Sequence, residues 1–125
     1  MIRLLLIVGT GSFAGGVLRY LLFRLVQYHI VPTFPFGTFI INILGCFLIG
    51  LFLGLSEKGE LINHEWRMFL TVGFCGGFTT FSTYSYENMM LLKQGNFFYF
   101  ALYTGLTVVL CLLASFAGNF FTRLL

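Results

Sequence analysis

An all-α integral membrane protein with four transmembrane helices is what this sequence predicts, and three observations carry the prediction. Hydrophobic residues make up 58% of the 125 positions. Charged residues make up only 9%, against about a quarter in an average soluble domain. The apolar residues are gathered into four runs, each of about 20 residues or more, the length a helix needs to cross a hydrocarbon core about 30 Å thick. These runs and their short connections use up the chain, so a single transmembrane domain over residues 1–125 is expected.

The first run covers residues 4–26 and is interrupted only by Arg19 and Arg24. A signal peptide is suggested by Arg3, the apolar stretch behind it and the small residues around Ala14, but the hydrophobicity continues through Val17, Leu18 and Tyr20, so the segment reads as a span. Pro32 and Pro35 cannot continue a helix without losing backbone donors, which predicts a loop over residues 29–35. The second run, 36–55, carries no charge. Glu57, Lys58, Glu60, His64, Glu65 and Arg67 make residues 56–67 the clearly aqueous connection, with Trp66 placed as an interfacial anchor. In the third run, 68–92, Glu87 is the only charge; Lys93-Gln94-Gly95-Asn96 then turns the chain into the fourth, 97–121.

An even number of spans puts both termini on one side. Arg3, Lys58, Arg67 and Arg123 fall on that side, and Arg24 and Lys93, with Arg19 if it reaches the surface, on the other. So small an asymmetry does not fix orientation under the positive-inside rule and leaves both insertions open. Gly11 and Gly15, Gly50 and Gly54, and Gly73 and Gly77 each form G-x-x-x-G, expected to let helix backbones approach closely.

Several function classes drop out. The net charge of +3 comes without the continuous basic stripe that nucleic acid would need, so no nucleic-acid partner is expected. Gly9-Thr10-Gly11-Ser12-Phe13-Ala14-Gly15 is one residue from a dinucleotide fingerprint but lacks the strand before it and the acid about 20 residues on. No Walker loop, H-E-x-x-H or G-x-S-x-G occurs, and His29 and His64 fall in predicted loops without partners at ligand spacing, so the chain is not expected to be an enzyme. Cys46, Cys75 and Cys111 form no C-x-x-C and read as buried free thiols.

What chemistry there is lies inside the spans. Asn42 is the most polar residue of the second, where an unpaired amide costs several kcal/mol, order of magnitude. Thr38, four residues earlier, shares its face. The two are either an interhelical hydrogen-bonding site or a donor pair lining a pore. In the third span, Gly73-Phe74-Cys75-Gly76-Gly77-Phe78-Thr79-Thr80-Phe81-Ser82-Thr83-Tyr84-Ser85 is poor helix interior, and a backbone break at that depth is tolerated only where it is buried or lines a cavity. Such a break would free carbonyls and amides for an ion. Phe81 and Tyr84, three apart, place their rings on one face; this is either core or an edge-lined path, since a ring edge is electropositive and can hold an anion loosely. Glu87 is a pore acid or a structural acid in need of a partner. Tyr103, Thr107, Cys111 and Ser115 recur every four residues on the fourth span, as a polar track or as hydroxyls satisfying their own backbone.

Gly15-Gly16-Val17-Leu18-Arg19-Tyr20, Gly37-Thr38-Phe39-Ile40-Ile41-Asn42-Ile43-Leu44-Gly45 and the stretch from Gly73 to Glu87 resemble the signature stretches of the Fluc (CrcB) small fluoride channels, in the same order and at similar spacing. The resemblance covers essentially the whole chain. It implies a third helix broken near its middle and a dual-topology antiparallel homodimer in the bacterial cytoplasmic (inner) membrane, in contact with lipid, with two fluoride pores that export fluoride passively and protect against its toxicity. It also implies that Asn42 is a pore-lining donor, that Phe81 is the first ring of a phenylalanine box, and that the carbonyls of Gly76 and Thr79 hold a structural Na+ at the dimer interface. Arg19 would be the vestibule arginine. Tyr103 and Thr107 would belong to the polar track, and Thr38, Ser82 and Thr83 are counted with the pore. Tyr84 stands where the family's box usually has a second phenylalanine; it keeps the ring edge and adds a hydroxyl.

The alternative reading is a small four-span multidrug or cation antiporter. A proton-coupled pump of that kind needs a membrane-embedded acid, which the small multidrug family carries in its first span, and here the first span has none. A structural membrane subunit would leave the coincidence of Asn42, the Gly76-Gly77 break and the ring pair unaccounted for.

Overall fold

A computed structural model of the chain describes residues 1–29, 34–59 and 62–125. Pro32 and Glu60, used above to place two connections, lie outside them. Helix α1 runs over Ile2–His29 and α2 over Phe36–Glu57. A single turn, α3 (His64–Arg67), leads into a π-helical segment, Met68–Cys75, and then α4 (Gly76–Phe78). Beyond two extended residues come α5 (Phe81–Lys93) and α6 (Phe97–Arg123). Among the described residues there is no strand. By length and composition α1, α2 and α6 are each able to cross a membrane; the remaining crossing is composite.

Two boundaries differ from the expectation. Helix α1 reaches His29, so the first connection is shorter than residues 29–35: proline restricts the residue just before it, and the chain upstream stays helical. The composite crossing begins at His64, which is helical and not in a loop, because the Asn63 side chain accepts the Trp66 N–H at 2.8 Å and caps the turn. Arg3 reaches Glu65 at 3.0 Å across the ends of α1 and α3, an exposed pair worth little in stability that nevertheless puts these two ends side by side. The turn at residues 94–96 closes as expected: Gly95, at φ +78°, donates to the Leu92 carbonyl and Asn96 to that of Leu91, ending α5 with the paired bonds of a left-handed cap.

One threonine inside the π-helical segment and one just past α4 turn their hydroxyls back onto helix carbonyls. The Thr71 hydroxyl donates to the Arg67 carbonyl at 2.7 Å and the Thr79 hydroxyl to the Cys75 carbonyl at 2.9 Å. Such back-bonding competes for helix carbonyls and bends the ladder. At the end of the segment the Gly76 N–H reaches back to the Thr71 carbonyl, the wider i to i−5 bond.

Small residues decide which helices touch. A Cβ on Gly73 would come within 2.8 Å of the Val8 carbonyl oxygen and 3.0 Å of the Gly11 Cα, and one on Gly15 would collide with the Phe74 carbonyl, so two of the predicted G-x-x-x-G pairs face each other across α1 and the π-helical segment. Gly50 meets the Ser115 backbone in the same way, fastening α2 along α6. Gly15→Ala should therefore lose about 1–3 kcal/mol of stability, the range of an overpacked contact. Gly16→Ala, next to it but facing open space, should lose nothing. Denaturation midpoints of the two variants in detergent check the contrast.

The buried core sits where α2 begins, formed by Phe34, Tyr84, Leu91 and Tyr103, with Phe39 and Tyr99 packed against it. Phe34 meets Tyr103 edge to face at 5.3 Å. Most other large apolar side chains on α1 and the outer face of α6 are exposed, as expected of surfaces turned to lipid.

Candidate functional site: the helix break and its groove

The break lies at Thr79 and Thr80, both extended, at φ −84°, ψ 155° and φ −148°, ψ 116°. Asn42 holds it. Its Nδ2 donates to the Thr80 carbonyl at 3.0 Å, and its Oδ1 accepts the Thr80 N–H at 2.9 Å. In an unbroken helix that N–H would serve the Gly76 carbonyl. The Thr83 N–H, which would serve Thr79, is turned to the Thr80 Oγ1 at 3.2 Å, capping α5. The Phe81 N–H would serve Gly77, whose carbonyl instead accepts from Arg19 Nε at 3.2 Å. A cation is thereby set against the C-terminal, negative end of the half-helix.

Immediately beyond the break stand the two rings. Phe81 and Tyr84 have centroids 5.4 Å apart and planes at 53°. Phe81 is 77% exposed in the chain and Tyr84 only 6%. Tyr84 lies edge to face on Tyr103 at 5.0 Å, and the Tyr103 hydroxyl donates to Glu87 Oε1 at 2.9 Å. Glu87 also borders a void of about 20 Å³ beside Phe23, Gln27 and Phe36, room for about one water. The Thr38 hydroxyl is turned toward the Glu87–Tyr103 pair, yet neither it nor the Thr107 hydroxyl meets a partner within hydrogen-bond geometry, although both are buried.

A groove of about 670 Å³ runs along α2, the composite crossing and α6, and gathers Asn42, Gly76, Thr79, Phe81, Tyr84 and Thr107 on one wall system. Thr38, Tyr103 and Glu87 lie behind Tyr84. Ser82 and Thr83 cluster with the Thr80 hydroxyl at the start of α5, at 3.2 and 3.1 Å. Arg19 approaches the break from α1. The carbonyls of Gly76 and Thr79, deprived of their helical amides, are neutral oxygen donors of the kind a hard monovalent cation accepts, so the donor chemistry fits Na+. Among the described residues no cluster of three or more His, Cys, Asp or Glu side chains could hold a metal.

The cysteines differ from the expectation of three buried thiols. Only Cys75 is buried; Cys46 and Cys111 are half-exposed, because α2 and α6 border the groove where they carry them. Thr80, with its N–H, carbonyl and hydroxyl all engaged, was not singled out by sequence reasoning. The available signal was its place as an N-cap threonine before a helical run. Asn88, inside α5, was not singled out either; it accepts from the Thr104 hydroxyl at 3.2 Å and ties α5 to α6.

The family profile of CrcB-like proteins, described as Camphor Resistance (CrcB), matches residues 6–119. The chain belongs to the CrcB-like family. Among its CrcB-like relatives, a protein of Chlorobium phaeobacteroides named fluoride-specific ion channel FluC is 52% identical over 99 residues, which is 79% of this chain and 77% of the relative. One of the same name from Campylobacter jejuni subsp. jejuni is 43% identical over 118 residues, 94% of this chain and 96% of the relative. A third, from Flavobacterium psychrophilum, is 42% identical over 111 residues, 89% and 90% of the two chains. Family membership and the apolar helices together make the chain a multi-pass membrane protein.

Proposed function

We propose that this CrcB-like chain is a fluoride-selective channel of the bacterial cytoplasmic membrane, a passive exit that protects the cell from fluoride, and not an enzyme. The relatives' common name supports it. The observation that carries the reading on this chain's own residues is the Asn42 clamp: it opens the helix beside a ring pair inside one groove. An antiporter is not favoured, since the first span has no acid.

Fluoride is small and holds its water tightly, so a path for it must offer several donors at once without a deep well. One Asn42 N–H is spent on Thr80, which leaves the second for an anion. Phe81 and Tyr84 offer ring edges, and the unpartnered hydroxyl of Thr107 on the groove wall offers a donor farther along, while Thr38 supports the Glu87–Tyr103 pair behind Tyr84. Glu87 serves as a structural acid that holds Tyr103, while Ser82 and Thr83 border the mouth of the path and Arg19 draws anions toward it. Efflux from liposomes containing the purified protein tests the reading: fluoride should leave and chloride should stay, and equal rates for the two would overturn it.

The assembly is an antiparallel homodimer of both insertion orientations, embedded in lipid. The weak charge asymmetry supports this, as does the open side of Gly76, where nothing in the chain lies within 4 Å of an added Cβ. Na+ would be held at the interface by the Gly76 and Thr79 carbonyls, where it would neutralise their partial charges and join the two breaks. C-terminal tags should be labelled from both sides of the membrane; labelling from one side alone sinks the dual orientation. Assembly and flux that persist unchanged after complete replacement of Na+ would remove the cation.

A further inference from the structure

Cys46 on α2, Cys75 on the π-helical segment and Cys111 on α6 come from three different elements, and all three line the groove. Cys46 and Cys111 each lie one turn before the contact of Gly50 with Ser115, so the two thiols stand on the facing sides of α2 and α6, and both are half-exposed in the single chain. Cys75 is 1% exposed. The helices that carry the pair are fastened backbone to backbone where Gly50 meets Ser115 and Gly118 meets Phe47, so the two sulfurs are held in place by packed elements and not by loops. Thr107, one turn before Cys111 on the same face, has a buried hydroxyl with no partner.

We propose that Cys46 and Cys111 form a two-thiol site for a soft, thiophilic divalent cation of the Hg2+ type in the wall of the groove, and that filling it stops conduction. The block rests on the groove being the conduction path. Thiolate sulfur selects soft cations over hard ones, and two such ligands satisfy an ion that binds in line. On binding, each thiol gives its proton to the buffer and each sulfur forms one bond to the metal. Two thiolates and one divalent cation leave a neutral complex, suited to a groove whose wall is mostly apolar. Its bulk then narrows the passage beside Thr107.

The test uses the full-length protein in detergent and in liposomes, with Hg2+ as the probe and an amount of 2-mercaptoethanol matched to the metal. The parent chain should hold one Hg2+, shown by intact mass as the metal gained less two protons, with both Cys46 and Cys111 protected from alkylation and fluoride efflux blocked. C46S and C111S should each bind at least about 100-fold more weakly, because a lone thiol loses the intramolecular second contact. C75S should behave as the parent; C46A and C111A serve if a serine variant does not fold. Metal stripped from the parent by the monothiol, tight binding that survives in C46S or C111S, or loss of binding in C75S would each overturn the site. If the parent conducts no fluoride at all, the channel reading fails, while mass and alkylation still decide the metal site.

Discussion

Asn42→Ser should lower fluoride efflux by about 10-fold to 150-fold, the loss that follows from removing a hydrogen bond to a charged species worth about 1.5–3 kcal/mol. It should also destabilise the chain by about 1–3 kcal/mol, because the Thr80 N–H and carbonyl lose the partners that replace a helical ladder at this depth. The double effect separates this residue from an ordinary pore donor. Asn42→Asp keeps an oxygen to accept the Thr80 N–H but removes both amide donors and sets a second carboxyl oxygen against the Thr80 carbonyl, so it should lose the flux and at least as much stability as the serine variant. Efflux rates and denaturation midpoints measured on the same preparations check both halves. A serine variant with parental flux and parental stability would show that the clamp is dispensable.

Phe81→Ile should behave differently, with flux falling by about 2-fold to 10-fold and stability unchanged. A ring edge contributes about 0.5–1.5 kcal/mol beyond simple burial. Isoleucine keeps the bulk and apolarity and deletes the edge. The side chain is 77% exposed, and its ring contact is with Tyr84, so little packing is lost within the chain. Tyr84→Phe, which leaves the ring on Tyr103 and removes only a long 3.4 Å bond to the Thr104 carbonyl, should conduct as the parent does. If the Phe81→Ile dimer assembles and passes fluoride at the parental rate, the ring is packing and the anion travels elsewhere.

Much of this organisation can be read from the chain, and the reasons differ from element to element. Composition and the lengths of the apolar runs are enough for four crossings, because hydrocarbon tolerates few alternatives to a helix. Gly76-Gly77 followed by hydroxyl residues marks the break, although Gly9-Thr10-Gly11-Ser12 and Gly15-Gly16 set weak helix formers inside the first span and leave α1 unbroken. The glycine pairs mark the seams. By contrast, the π-helical segment depends on where the Thr71 and Thr79 hydroxyls turn, a choice between two local geometries that residue type does not settle. Asn42 is conspicuous as a buried amide, but its partner is 38 positions away, and Arg19 meets a carbonyl 58 positions away. Contacts of that separation come from helix packing and leave no local signal. Thr80 is hidden for another reason: it is one of several hydroxyl residues after Gly76-Gly77, and only the packing of α2 against the break makes it the residue that caps α5 and receives Asn42.

Passive, selective conduction of fluoride is the central claim, and the reversal potential of the purified protein in a planar bilayer tests it most directly. With a tenfold fluoride gradient, equal chloride on both sides and equal pH, the current should reverse at about 59 mV in magnitude, the value for a monovalent ion at 25 °C. That value should not move when a chloride or proton gradient is added. A reversal near zero, one that follows chloride, or one that shifts with the pH difference would contradict the account.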